Sequence, residues 1–356
     1  MSAPPIALWV VPVPEFGGVA RHVVDVARQG LPGHRVVVLC PEGALARRLR
    51  AQGSAVTTGR FGTGAGPAAS VGTLRATVRA LRPAIVHSHL AYADIVSAAT
   101  PLPRPVRRLT TEHGIAGPDA VYHRSGAQAR LMAAAHHARL RAFDGAIAVS
   151  QATRRAMLEK WRPSLPVDVV LNGVDAPAQV SSEPSVDGSL RVVSLSRLSP
   201  EKRIDSLLDA FALLLRRVPG ATLTVAGEGP LGDDLRAQAH RLGLGDAVAF
   251  PGFVDSERAL AHADVIAQLS VWENCSYTLL DAAARGLGLV ASAVGGNPEI
   301  LAPGSLVDAT DTAAVASAIE RQAASGGGAA VPRSVAEMCG DIAAVYERTL
   351  HRRTTA

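Results

Sequence analysis

The chain has 356 residues, of which 48% are hydrophobic, 19% charged and 4% aromatic. That apolar fraction is too high for a disordered chain, and Cys40, Cys275 and Cys339 form neither a disulfide framework nor a CxxC metal knuckle. The net charge of +5 divides unevenly: residues 1–176 carry 21 basic and 10 acidic side chains (+11), and residues 177–356 carry 15 and 21 (−6).

In chain order the first expected strand is Ile6–Val11. The apolar stretch Ile6–Val13 has no basic residue before it and contains Pro12, so it reads poorly as a signal peptide, and no run approaches the ~18 apolar residues of a membrane span. A cytoplasmic location is expected. Strands follow at 35–39, 56–58, 85–87, 107–111, 146–149 and 167–171. Helical patterns lie between them near 18–30, 44–52, 70–81, 128–142 and 151–161. The polar, proline-punctuated stretch 176–189 reads as a linker. The pattern then restarts, with strands at 190–195, 222–225, 248–250, 264–269 and 287–291. Helices fit near 203–217, 231–243, 278–285 and 311–324, and a last one over 334–350. Strands separated by helices predict parallel sheets with helical crossovers. The expected fold is α/β, two Rossmann-like doubly wound domains (1–175 and 190–333) facing across a cleft. Ligands of such sheets bind at strand C-termini and helix N-termini, where backbone N–H groups favour anions.

The densest motif is SRLSPEKRID (196–205), directly after an expected strand. Arg197 and Lys202 lie five apart on a strand-to-helix loop, which suits a diphosphate; the alternative is two cations on a solvated turn. Lys202 is one of only two lysines among 36 basic residues. GEGPLG (227–232) matches G-x-G-x-x-G, so Gly227, Glu228 and Gly229 are candidates for a nucleotide contact, and an NAD-dependent oxidoreductase is a competing reading. Against it, the fingerprint belongs on the first strand of its unit.

The third cluster spans 270–300. Glu273 on a loop and Asp281 eight residues later in a helix can converge on a polyhydroxyl ligand. Asp281 also fits a first-turn acid that complements the helix dipole. In the first half, GGVARHV (17–23) follows the first strand, and Gly17 and Gly18 let a ligand approach the backbone. TEHG (111–114) ends a strand, where His113 could bond a sugar hydroxyl or stabilise charge, and adjacent Glu112 should point the opposite way. His87 and His89 end another strand and rank lower. No metal-ligand spacing and no Asp-x-Asp appear, so no metal and no cofactor are expected.

With AIAVS (146–150), LNGVD (171–175) and PGFV (251–254), these motifs resemble in order and spacing the GT-B glycosyltransferases of family 4, the large retaining group. The resemblance covers nearly the whole chain. It implies that Arg197 and Lys202 hold the donor diphosphate and that Glu273 contacts the donor sugar. Asp281 would replace the second acid of the family's E-x7-E motif at the ribose, with an arm shorter by about one methylene. It places His113 as the first-domain histidine, and it returns the final helix (334–356) onto the first domain. The implied reaction is transfer of a sugar from a UDP- or GDP-sugar to a sugar, lipid-linked or other hydroxyl acceptor, with no nucleic-acid partner. A non-catalytic nucleotide-sugar-binding subunit is the other alternative. Arginines 104, 107, 108, 124, 130, 139 and 141 suggest a peripheral contact between the basic first half and an anionic membrane, or else a solvated Arg-rich face.

Overall fold

The structure is a computed structural model, and it describes residues 3–115, 134, 136–177, 189–325 and 333–352. The chain divides into two compact units, residues 1–173 with 333–356, and residues 174–332. Each unit is built around its own parallel sheet.

The first unit contains β1 (Ile6–Val10), β2 (Arg35–Cys40), β3 (Val56–Thr58), β4 (Ile85–His89), β5 (Arg107–Glu112), β6 (Gly145–Ala148) and β7 (Val167–Val169), ordered β3-β2-β1-β4-β5-β6-β7. Helices α1 (Gly18–Gln29), α2 (Ala44–Ala51), α3 (Pro67–Leu81), α4 (Ala91–Ala99) and α5 (Gln151–Trp161) connect the strands. The strands are runs of branched apolar residues because a central parallel strand is covered on both faces; Ala7, Leu8, Trp9 and Val10 are all fully buried. The strand order reverses between β1 and β4, which pair directly. Gly17, at the end of the loop after β1, and Gly18, the first residue of α1, together with His87 and His89 at the C-terminal end of β4, flank the switch point where open α/β sheets take ligands.

The second unit contains β8 (Arg191–Leu195), β9 (Thr222–Ala226), β10 (Val248–Gly252), β11 (Val265–Gln268), β12 (Gly288–Ser292) and β13 (Leu306–Val307), ordered β10-β9-β8-β11-β12-β13. Its longer helices are α6 (Ile204–Arg217), α7 (Gly232–Arg241), α8 (Tyr277–Ala284) and α9 (Thr312–Ser325). Here the order reverses between β8 and β11. Leu207, Leu208, Phe211 and Leu214 on α6 pack with Val315, Ala316 and Ile319 on α9 in one core.

The final helix α10 (Val335–His351) belongs to the first unit. It starts with a full capping box, in which the Ser334 hydroxyl takes the Glu337 N–H and the Glu337 carboxylate takes the Ser334 N–H. Val335, Met338, Cys339, Ile342, Val345 and Tyr346 enter the same core as Trp9 and Val23. Gly173 has no room for a side chain, because a Cβ there would lie 2.2 Å from the Ser334 carbonyl oxygen.

Two differences from the expected pattern have physical causes. Helix α4 went unforeseen because its inward face mixes Ala93 and Val96 with buried Asp94 and Ser97, which erases the apolar period. Helix α3 begins three residues early because Pro67 occupies its first position, where a missing N–H costs nothing. Of the helix expected over 128–142, residues 134 and 136–140 are helical and most of the rest lies outside the described residues, as does most of the 176–189 linker.

Candidate functional site

In the second unit, the loop after β8 and the loop after β11 meet because those strands are neighbours across the switch point. Lys202 Nζ donates to Glu273 Oε1. Ser270 Oγ donates to the same carboxylate oxygen at 2.8 Å and lies 3.5 Å from Lys202 Nζ. Lys202 and Glu273 are mostly buried, at 17% and 12% side-chain exposure. Arg197 is 72% exposed and reaches Glu201 Oε1 at 2.9 Å. Burial disfavours the Glu201 charge, yet hydrogen bonds at Ser199 and the nearby Arg197 and Lys202 charges hold its carboxyl below the usual range. The two cations named from the sequence are therefore each held by a carboxylate, Lys202 by the predicted Glu273 itself.

Glycine packing fixes this geometry. Gly295 has φ +54°, and a Cβ there would fall 1.7 Å from the Glu273 carbonyl oxygen. The adjacent Gly296 N–H donates to that oxygen at 3.3 Å. The turn 294–296 thus lies directly on the Glu273 backbone. Gly227 and Gly229 do the same for the Arg197 loop: their Cβ atoms would lie 1.9 Å from the Ser196 oxygen and 2.3 Å from the Leu198 oxygen. Leu198 N–H also donates to the Glu228 carbonyl at 3.0 Å. In a dinucleotide fingerprint such glycines leave backbone open to a pyrophosphate. Here protein backbone fills that space, which removes the basis of the NAD reading.

Asp281 is buried and lies in the second turn of α8, with no acid in the first turn. The dipole-complement alternative therefore fails. Gly17 and Gly18 contrast with Gly227 and Gly229, since a Cβ on either would meet nothing within 4 Å. The start of α1 is open to an approaching group.

In the first unit, β4 and β5 form a histidine cluster. His87 Nε2 bonds Thr111 Oγ1 at 2.8 Å, and His89 Nδ1 bonds His113 Nε2 at 2.9 Å; both pairs span 24 residues and form two like diagonal rungs between the strands. His22 on α1 packs edge-on against His113, with ring centroids 4.9 Å apart. Burial lowers the pKa of His22 to about 4 and that of His87 to about 3, and puts those of His89 and His113 well below the ordinary value, with neighbouring imidazoles adding to the last three. His113 is therefore neutral at pH 7, which leaves hydrogen bonding and removes the role of a cation stabilising charge. Nitrogens of His22, His89 and His113 lie within 4.8 Å of one another, a spacing that can hold a metal ion. Sequence reading missed this because the pairing of β4 with β5 and the packing of α1, not local spacing, bring them together.

Glu112 points to the opposite face, as strand alternation requires. Its Oε2 accepts from Arg139 at 3.2 Å, and the same guanidinium bonds Asp94. Burial pushes the Asp94 carboxyl up to about 7 against the pull of Arg139, and raises Glu112 likewise. This corrects the reading of the basic patch. Arg139 is 3% exposed and neutralised inside the unit. Arg107 pairs with Asp144, and Arg108 donates to the Ser97 and Thr100 carbonyls. Arg104 and Arg141 are exposed, and Arg124 and Arg130 lie outside the described residues.

Comparison with known proteins agrees with this layout. Residues 16–176 match the model described as Glycosyltransferase Family 4, and residues 175–326 match Glycosyl transferases group 1. The chain belongs to the GT-B glycosyltransferases of family 4. The two matches meet near the division between the structural units. Among family-4 relatives, the GDP-mannose-dependent alpha-(1-6)-phosphatidylinositol monomannoside mannosyltransferase of Mycobacterium tuberculosis is 33% identical over 195 residues, 48% of this chain and 50% of that protein. The alignment thus spans half the length of that relative. Glycogen synthase from the same organism is 29% identical over 330 residues, 83% of this chain and 79% of that enzyme. The crystal structure of Anabaena Alr3699/HepE with UDP and glucose shares the fold, with TM-score 0.78, 23% identity and coverage of 96% of this chain and 99% of that one.

Proposed function

We propose that this family-4 chain transfers a sugar from a nucleotide diphosphate sugar to an acceptor hydroxyl, with retention of anomeric configuration and without a metal ion or other cofactor. The observation that carries the reading is the Lys202–Glu273 pair at the β8/β11 switch point, with Arg197 on the same loop as Lys202. A diphosphate arriving there offers Lys202 and Arg197 anionic oxygens in place of their carboxylate partners. As the bond to the sugar breaks, the two cations stabilise the charge that develops on the leaving diphosphate. Glu273, released from Lys202, is a carboxylate able to accept paired hydroxyl hydrogens of the sugar. Asp281 binds the nucleotide ribose. His113, neutral, supplies a hydrogen bond to the transferred sugar, and Gly17 and Gly18 leave the start of α1 open to the donor. Gly227, Glu228 and Gly229 act on the donor by holding the Arg197 loop against their own backbone.

The acceptor is a sugar or lipid-linked hydroxyl in the synthesis of a cell-surface polysaccharide or glycolipid. The names of relatives support this, since one acts on a phosphatidylinositol mannoside and another is an alpha-monoglucosyldiacylglycerol synthase. No helix among the described residues is long and apolar enough to cross a membrane. A peripheral contact with anionic lipid would rest on Arg104 and Arg141, together with Arg124 and Arg130. The decisive experiment is a thermal-shift screen of UDP- and GDP-sugars, followed by a transfer assay with the stabilising donor in the presence and absence of EDTA. Stabilisation with slow hydrolysis or transfer, unaffected by EDTA, supports the proposal. Binding with no turnover for any acceptor class favours a non-catalytic subunit.

A further inference from the structure

We infer that His89 is a positioning residue that fixes the tautomer of His113, holding its proton on Nδ1 so that His113 meets a ligand as a hydrogen-bond donor and not as a base. The inference deepens the proposed function and rests on it for the statement that His113 faces the donor sugar.

The argument is one of proton accounting. A neutral imidazole has one N–H and one lone pair, so in the 2.9 Å contact between His89 Nδ1 and His113 Nε2 one ring must donate. If His113 donated, His89 would carry its own proton on Nε2. That nitrogen is buried and has no hydrogen-bond partner, and an orphaned buried N–H is the rarer and costlier defect. If His89 donates from Nδ1, its buried Nε2 is left with only an unmet lone pair, the lesser of the two defects. The second arrangement fits the site. His113 Nε2 is then an acceptor, and its proton lies on Nδ1. No other hydrogen bond to His113 occurs among the described residues, and unlike fully buried His89 the side chain is partly exposed. A cationic form of either ring would again leave an N–H on the buried, unpartnered Nε2 of His89, so no doubly protonated form competes.

The neighbouring rung obeys the same logic and anchors the cluster. Trp9 Nε1–H can only donate, and it does so to Tyr346 Oη at 2.7 Å. The Tyr346 hydroxyl proton is then directed at His87 Nδ1, 2.7 Å away. His87 therefore carries its proton on Nε2 and donates it to Thr111 Oγ1. His87 and His89, two residues apart on one strand face, hold opposite tautomers. His87 is fixed by α10 from below, and its ring centroid lies 4.6 Å from that of His89.

The consequence is chemical selectivity. An Nδ1–H donor seeks an oxygen lone pair and cannot remove a proton, so it rewards a donor sugar with an acceptor oxygen at that place.

The test is nitrogen-15 imidazole spectroscopy of the full-length protein at pH 7, with assignment from single-histidine variants. A protonated Nδ1 on His113 and a protonated Nε2 on His87 are expected; a protonated Nε2 on His113 overturns the inference, whatever the enzyme does. His89→Phe removes the donor and is expected to mix the His113 tautomers and raise KM for the sugar donor about tenfold, with a smaller change in kcat. His89→Asn, which keeps an N–H near the Nδ1 position, is expected to restore both. Equal tautomer signals in wild type and His89→Phe count against the inference. An unchanged KM in His89→Phe with the expected tautomer shift leaves the inference standing and removes His113 from the proposed function.

Discussion

Lys202 and Glu273, 71 residues apart in sequence, are joined side chain to side chain across the loops of two adjacent parallel strands. In the proposed function the cation that receives the diphosphate is thus occupied beforehand by the carboxylate that the sugar would engage, and one ligand would separate both. Removing the cation should abolish most of the chemistry. Lys202→Ala is expected to lower kcat by about 10²–10³-fold, the usual scale for a lost charge-stabilising group. Glu273 keeps its bond from Ser270, so the fold survives. Steady-state kinetics beside far-ultraviolet circular dichroism checks both parts, and wild-type turnover would remove Lys202 from the site.

Gly295→Ala tests whether the backbone under Glu273 matters. The new methyl group would collide with the Glu273 carbonyl and would also sit at a left-handed φ. A stability loss of about 1–3 kcal/mol is expected, with a fall in activity larger than that of Gly304→Ala, where a Cβ meets open space. Denaturant melts and transfer rates of the two variants make the comparison.

Much of the fold was legible in the sequence because buried parallel strands are short apolar runs bounded by loops, a pattern that survives without tertiary information. The site was legible where residues share one loop, as Arg197 and Lys202 do. It was not legible where topology supplies the partner. Ser270 is an ordinary serine until β11 is placed beside β8, and Tyr346 belongs to the histidine cluster only because α10 packs under β1 and β4. Arg139 looked like surface charge because sequence shows the guanidinium and not the two buried carboxylates awaiting it. The glycines of GEGPLG show the same limit, as a pattern shared by ligand binding and by close backbone packing.

The buried histidines predict a specific acid sensitivity. His22, His87, His89 and His113 stay neutral when folded, whereas unfolded they bind protons below about pH 6.5. In that window the unfolded chain binds more protons, so stability is full above pH 6.5 and falls as pH drops, by about 1.4 kcal/mol per pH unit per histidine. The loss for His22 is complete near pH 4 and for His87 near pH 3. Asp94 acts in reverse, since its raised pKa of about 7 makes the folded state bind a proton that the unfolded carboxyl releases above 3.8. It offsets roughly one histidine, and Glu112, whose carboxyl burial also raises, adds to that offset. Urea melts at pH 7.5, 6 and 5 should show a steep decline, and a flat profile would contradict the neutral cluster.

Tyr346→Phe removes one hydroxyl and strands two buried groups, the Trp9 N–H and His87 Nδ1. A loss of about 2–4 kcal/mol is expected, more than a single hydrogen bond, because each orphan keeps its desolvation cost. Equilibrium unfolding followed by tryptophan fluorescence measures it, and a change below about 0.5 kcal/mol would show that the chain of bonds does not contribute.

The position of α10 also sets an order of events during synthesis. The first unit needs Tyr346 and its neighbours to close its core, yet the ribosome makes residues 174–332 before it makes them. The amino-terminal sheet must therefore wait, with Trp9 and His87 unsatisfied, while the second unit emerges and is free to fold with all its own strands and helices in hand. A helix made after the whole second unit is the one that closes the core of the domain that was started first.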